Sequence, residues 1–168
     1  MFTKFLVAVS ASSVDAVLGS AIEISRKYDA RIFVLHVVDP ARCMTGTIDY
    51  DFGLIVQALE EHGREIVTRV TDALDAHSLP AETRTVTLPI TGSSVGRAIA
   101  SAADASGADL ILLGERSSGW WRWLNEDVAS EIRRHTSTPI HTVSDRVNVG
   151  STRRAATRWS KAPAADAR

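Results

Sequence analysis

Gly107-Ala108-Asp109-Leu110-Ile111-Leu112-Leu113-Gly114 is the stretch on which the fold of this chain turns. Its apolar residues run without the alternation of a half-exposed strand, and the run is too short for a helix. A segment of that kind is a strand buried on both faces, as in the middle of a parallel sheet. Gly107 sits where a helix would stop, and that helix is readable upstream. Ser93-Ser94 supplies a cap, and Val95, Ala98, Ile99, Ala102 and Ala103 follow at helical spacing. Downstream, Asn125-Glu126-Asp127 opens a helix containing Val128, Ile132 and His135, and Pro139 to Val143 reads as a last short strand.

The same unit recurs toward the N-terminus. Lys4 to Ser10 contains Phe5-Leu6-Val7-Ala8-Val9, a second buried strand. Ser12-Ser13 offers a cap to a helix whose apolar stripe is Val14, Val17, Leu18, Ala21, Ile22 and Tyr28, with Asp15 near its start and Arg26 and Lys27 in its last turn. Arg31 to Val38 is a third buried strand, stopped by Asp39-Pro40. A looser stretch with Gly46 runs to about Asp51. Ile55, Leu59, His62, Ile66, Val70, Ala73 and His77 then mark a long amphipathic helix. Beyond Pro80, Glu82 to Leu88 alternates Thr and Val with charge and suits an edge strand. The order is β-α-β-α-β-α-β-α-β. It predicts an α/β, Rossmann-like fold: a five-stranded parallel open sheet, helices on both faces, joined by right-handed crossovers. Such sheets bind ligands beyond the carboxyl ends of their strands, here Ser10, Val38 and Gly114.

The chain has 168 residues, 45% hydrophobic and 23% charged, with a net charge of −1. Those values exclude global disorder and give no reason to expect a nucleic-acid partner. The longest apolar runs fall far short of the roughly 20 residues of a bilayer span, and the first residues lack the layout of a signal peptide. With Cys43 alone, no intrachain disulfide forms, and the expected compartment is the cytoplasm. The predicted domain covers 1–147. The remainder, 148–168, reads as a disordered basic tail: from Arg146 onward six basic residues face the single acid Asp166. The sharper alternative is a basic arm that touches an acidic partner or a membrane surface.

Three features together resemble the universal stress protein family over Met1 to about Val147. They are Phe5-Leu6-Val7-Ala8-Val9 with its serine-rich turn; Leu35-His36-Val37-Val38-Asp39-Pro40; and Gly107 to Gly114, followed by a Gly-containing loop, a capped helix and a Thr-Pro-Ile strand. The resemblance implies a homodimer paired through the last strand, Ile140-His141-Thr142-Val143. In the nucleotide-binding branch it also implies an Asp at the first strand end and a Gly-x-x-Gly, nine residues, Gly-Ser/Thr loop around the phosphates. Carried onto this chain, the nucleotide contacts fall on Ser10, Ala11, Ser12, Val38, Gly114, Arg116, Ser117, Ser118, Gly119, Asp127 and Val128.

The chain departs from that pattern. Ser10 replaces the Asp, the second glycine falls on Ser117 or is lost in a one-residue deletion, and Glu126-Asp127 replaces the final Gly-Ser pair. At ~6 Å and an effective dielectric of about 20, each pair of like charges costs roughly 3 kcal/mol, against about 0.3–1 kcal/mol from a helix dipole. Repulsion wins unless Arg116 or Arg122 neutralises it. The chain is therefore expected to be a regulatory, non-enzymatic module with weak or absent ATP binding, acting through protein partners. An ATP-binding switch or slow ATPase using Arg116, Ser117 and Ser118 is the alternative, with ATP as its cofactor.

Trp120, Trp121 and Trp123 surround Arg122 in one short segment. They read either as packing onto the domain or its mate, or as an aromatic anchor for a protein partner or a membrane surface. Docking on a transporter or sensor through this segment and the basic tail is a weaker reading. The five histidines show no metal-ligand spacing, so no metal site is expected. No Gly-x-Ser-x-Gly elbow is present, which argues against hydrolase chemistry. Gly46, Gly63 and Gly96 stand alone, without a motif.

Overall fold

The computed structural model describes residues 2–11, 13–43, 51–114 and 128–143. The strands are β1 (Lys4–Val9), β2 (Arg31–Val38), β3 (Ala81–Thr87), β4 (Leu110–Gly114) and β5 (Ile140–Val143). The helices are α1 (Val14–Tyr28), α2 (Phe52–Ala76), α3 (Val95–Ser106) and α4 (Val128–His135), with a short 3-10 turn at Pro40–Cys43. All four strand pairings are parallel, and the order across the sheet is β3-β2-β1-β4-β5. No helix among the described residues is long and apolar enough to cross a membrane.

The pleat sorts side chains onto two cores. Phe5, Val7, Val9, Ile32 and Val34 meet α1 and α2 on one face, while Leu6, Phe33, Leu35, Ile111 and Leu113 meet α3 and α4 on the other. Most successive residues of β1, β2 and β4 are therefore buried, which is why these strands read as nearly continuous apolar runs. β3 and β5 lie at the edges; most of β3 is exposed, as expected of an edge strand, and the middle two residues of β5 are exposed as well.

Among the described residues, helix ends follow the expected chemistry with one exception, and the expected cap of α4, Asn125-Glu126-Asp127, lies outside them. Ser94 Oγ accepts from the Arg97 N–H at 3.2 Å, and Gly107 closes α3 with a left-handed φ of 65° that costs glycine nothing. Asp29 closes α1 in the same region, at φ 53°. Ser13 precedes α1 but makes no side-chain cap. Its hydroxyl is engaged elsewhere, at 2.9 Å from Ser10 Oγ.

α2 departs from its expected stripe. It begins at Phe52, capped by Asp51, and its buried positions are Gly63, Ile66, Val70 and Leu74. His62 and His77 face outward. Leu74 follows Val70 by one turn, and that spacing rotates the inward face away from Ala73 and His77.

Candidate functional site

Strand order reverses between β1 and β4, so the crevice at which an open α/β sheet takes ligands lies at the ends of these two strands. Ser10 follows β1 and Gly114 closes β4. The two are brought together through Ser13. The chain turns tightly after Ser10, whose carbonyl accepts the Ser13 N–H at 3.1 Å, and Ser13 is 4% exposed. A Cβ on Gly114 would lie 2.2 Å from Ser13 Cβ and 2.9 Å from Val17 Cγ2. Gly114 therefore has a packing reason to be glycine: it lets the start of α1 rest directly on the end of β4.

One strand over, His36 is buried in β2. Val9's carbonyl can only accept, so His36 Nδ1 carries the proton in their 3.0 Å hydrogen bond. The rest of the ring faces Gly63 of α2, where a Cβ would lie 2.7 Å from Cδ2 and 3.1 Å from Nε2. His36 thus connects α2 to the last residue of β1, beside Ser10. Val38 is buried, and its carbonyl accepts the Leu88 N–H at 2.9 Å, tying the end of β2 to the chain leaving β3.

On the opposite face, α3 and α4 meet through a second glycine. A Cβ on Gly96 would lie 2.6 Å from both Cβ and Cγ of Glu131. The Glu131 carboxylate accepts from His135 Nε2 at 3.1 Å, Arg134 Nη1 at 2.9 Å and Ser94 Oγ at 3.3 Å. The His135 hydrogen bond holds its carboxyl below the ordinary value. Burial opposes that shift, and the bonds from Arg134 and Ser94 add to it. The Ser94 hydroxyl donates to this carboxylate while accepting from Arg97, so it caps α3 and fastens α4 at once.

Of the sequence-predicted contacts, Ser10, Val38 and Gly114 thus stand at the carboxyl ends of neighbouring strands, with exposed Ala11 in the turn. Val128 is the first residue of α4 and packs against the α3-side core. Ser12, Arg116, Ser117, Ser118, Gly119 and Asp127 lie outside the described residues, as do Glu126, Trp120, Trp121, Trp123 and the segment 144–168. Gly63 and Gly96, which carried no motif, prove to hold His36 and Glu131. Only a contact between separate elements reveals that role.

The universal stress protein family profile matches residues 1–144. The chain belongs to this family. Solved structures agree. A universal stress protein family member from Burkholderia pseudomallei is 25% identical over 84% of this chain and 95% of its own, with a TM-score of 0.65. An Arabidopsis thaliana member with AMP bound is 19% identical over 87% and 94%, TM-score 0.63. An Archaeoglobus fulgidus member in complex with dAMP is 18% identical over 84% and 97%, TM-score 0.57. No curated protein matches the chain. This universal stress protein domain therefore shares its architecture with relatives solved with adenine nucleotides, while a serine, Ser10, follows its first strand.

Proposed function

We propose that this universal stress protein is a non-enzymatic regulatory module, cytoplasmic and homodimeric, that acts through protein partners and binds nucleotide weakly or not at all. The observation that carries this reading is the hydroxyl pair at the switch point. Where the family resemblance calls for a carboxylate, Ser10 presents an Oγ 2.9 Å from Ser13 Oγ. A neutral hydroxyl is a weaker acceptor for ribose hydroxyls or a base amino group than a charged carboxylate. The sequence adds Glu126-Asp127 immediately before Val128, where α4 begins. Two acids there repel a polyphosphate more strongly than a helix N-terminus attracts one.

The edge position of β5 supports the homodimer. His141 and Thr142 are exposed, and pairing across a two-fold axis removes an edge otherwise open to other strands. A competing reading, an ATP-binding switch, draws support from the AMP and dAMP complexes of the two relatives.

Native mass spectrometry and titration calorimetry separate the two. The proposal expects a dimer mass without retained nucleotide, and no thermal shift with ATP, ADP or cyclic AMP, with or without Mg²⁺. A ligand present at 100 times its Kd would add about 2.7 kcal/mol. Low-micromolar ATP affinity overturns the nucleotide part of the proposal, and a monomer at micromolar concentration overturns the dimer.

A further inference from the structure

α2 is longer than the sheet it covers. Thr87, the last residue of β3, donates its Oγ1 hydrogen to Glu60 Oε1 at 2.7 Å, so Glu60 is level with the end of that strand. Residues 52–59 therefore project beyond it, by about 12 Å at 1.5 Å per residue. This projection carries Phe52, Leu54, Ile55, Val56 and Leu59, and none of them is buried; Leu54 is 63% exposed. Ile90, past the end of β3 on the same side of the molecule, is 44% exposed. A helix turn that is apolar nearly all round is ordinarily covered, and a contiguous apolar patch on a soluble surface marks a docking site.

Charge decides what covers it. From Asp39 to Glu61 the sequence holds five acids and one base, Arg42, and the next base, Arg64, is engaged by Glu61. A symmetric contact with a second copy would set one acidic rim against another, and an anionic membrane would be repelled. The fitting occupant is basic with an apolar anchor. Such a segment exists in this chain: from Arg146 onward six basic residues face one acid, with Trp159 between Arg158 and Lys161 and alanines on both sides.

It is also within reach. In an all-parallel sheet β5 ends at Val143 on the side beyond which α2 projects. The distance across to β2 is three strand spacings, about 15 Å. Sixteen residues separate Val143 from Trp159, and a linker of that length would bridge about 22 Å at coil dimensions. Tethering of that length supplies an effective concentration on the order of millimolar, so a weak contact suffices.

We propose that the basic C-terminal segment around Trp159 docks in cis on the apolar projection of α2. The proposal is independent of nucleotide binding. Hydrogen exchange of the full chain, followed by mass spectrometry, tests it. Amides between Arg154 and Lys161 are expected to exchange at least about tenfold more slowly than free coil. Trp159→Ala or Leu54→Arg should restore coil-like exchange, and raised salt should weaken the protection. Leu54 is already exposed, so the melting temperature of Leu54→Arg should stay close to that of the parent. Coil-like exchange in the unsubstituted chain overturns the proposal, as does protection that survives Leu54→Arg. Protection that disappears on dilution assigns the contact to a second copy and equally overturns docking in cis.

Discussion

Two of the glycine contacts, Gly114 on one face of the sheet and Gly96 on the other, work differently. Gly114 meets Ser13 and Val17 by steric fit, with no charge involved, and so seats α1 on β4. Gly96 meets the stem of Glu131, whose carboxylate then collects hydrogen bonds from His135, Arg134 and Ser94. The first contact depends on shape alone. The second adds a polar clasp, and with it a dependence on pH. One end of one sheet is thus fixed by packing on one side and by packing plus charge on the other.

The largest effect is expected at the steric contact. Gly114→Ala places a methyl 2.2 Å from the Cβ of Ser13, in the backbone that leads directly into α1 and cannot yield without moving the helix start. A loss of about 3 kcal/mol in urea unfolding is expected, at the upper end for overpacking. Adding Ser13→Gly should recover part of it; failure to recover would mean that the contact with Ser13 is not the cause.

Gly96→Ala should cost less, about 1–2 kcal/mol, because alanine's better helix propensity returns nearly 1 kcal/mol against the clash with Glu131. A melting temperature for Gly96→Ala below that of Gly114→Ala would invert the comparison.

Glu131→Gln probes the charge alone. The folded-state carboxyl sits below its ordinary value, so its stabilisation is present above the unfolded pKa of about 4.3 and fades as pH falls through the lower folded value. The variant should melt lower than the parent at pH 7, and the gap should narrow on acidification below about pH 4. Parallel melting curves across pH 3 to 7 would remove charge from the clasp. Gly114→Ala should show no such dependence.

The smallest effect lies away from both contacts. Asp29→Gly relieves a left-handed φ of 53° at the end of α1 and should stabilise by about 0.5–1 kcal/mol, less if the aspartate tolerates that conformation well. Its additivity with Gly114→Ala checks that the α1 seat is a local contact.

Much of the fold was legible because burial on two faces leaves a plain mark. Phe5 to Val9 and Leu110 to Leu113 are apolar throughout, Ile32 to Val38 is apolar but for His36, and no solvent-facing strand reads so. Gly107 announced the end of α3 for an equally local reason, its positive φ. The candidate site was legible only in outline. Ser10, Val38 and Gly114 were named from strand ends, but the Ser10–Ser13 hydroxyl pair and the use of Gly114 as a seat for Ser13 involve residues up to a hundred positions apart. His36 was visible as part of a strand, whereas its bond to Val9 and its niche at Gly63 were not.

Local periodicity and helix-end chemistry in the sequence were enough to determine the element order, the parallel sheet and the exposed character of β3. These properties depend on neighbours within a few residues. The strand order β3-β2-β1-β4-β5, the role of each glycine and the projection of α2 beyond β3 were decided only by the tertiary structure. Each depends on which distant surfaces come within van der Waals contact, and no pattern along a single chain records that.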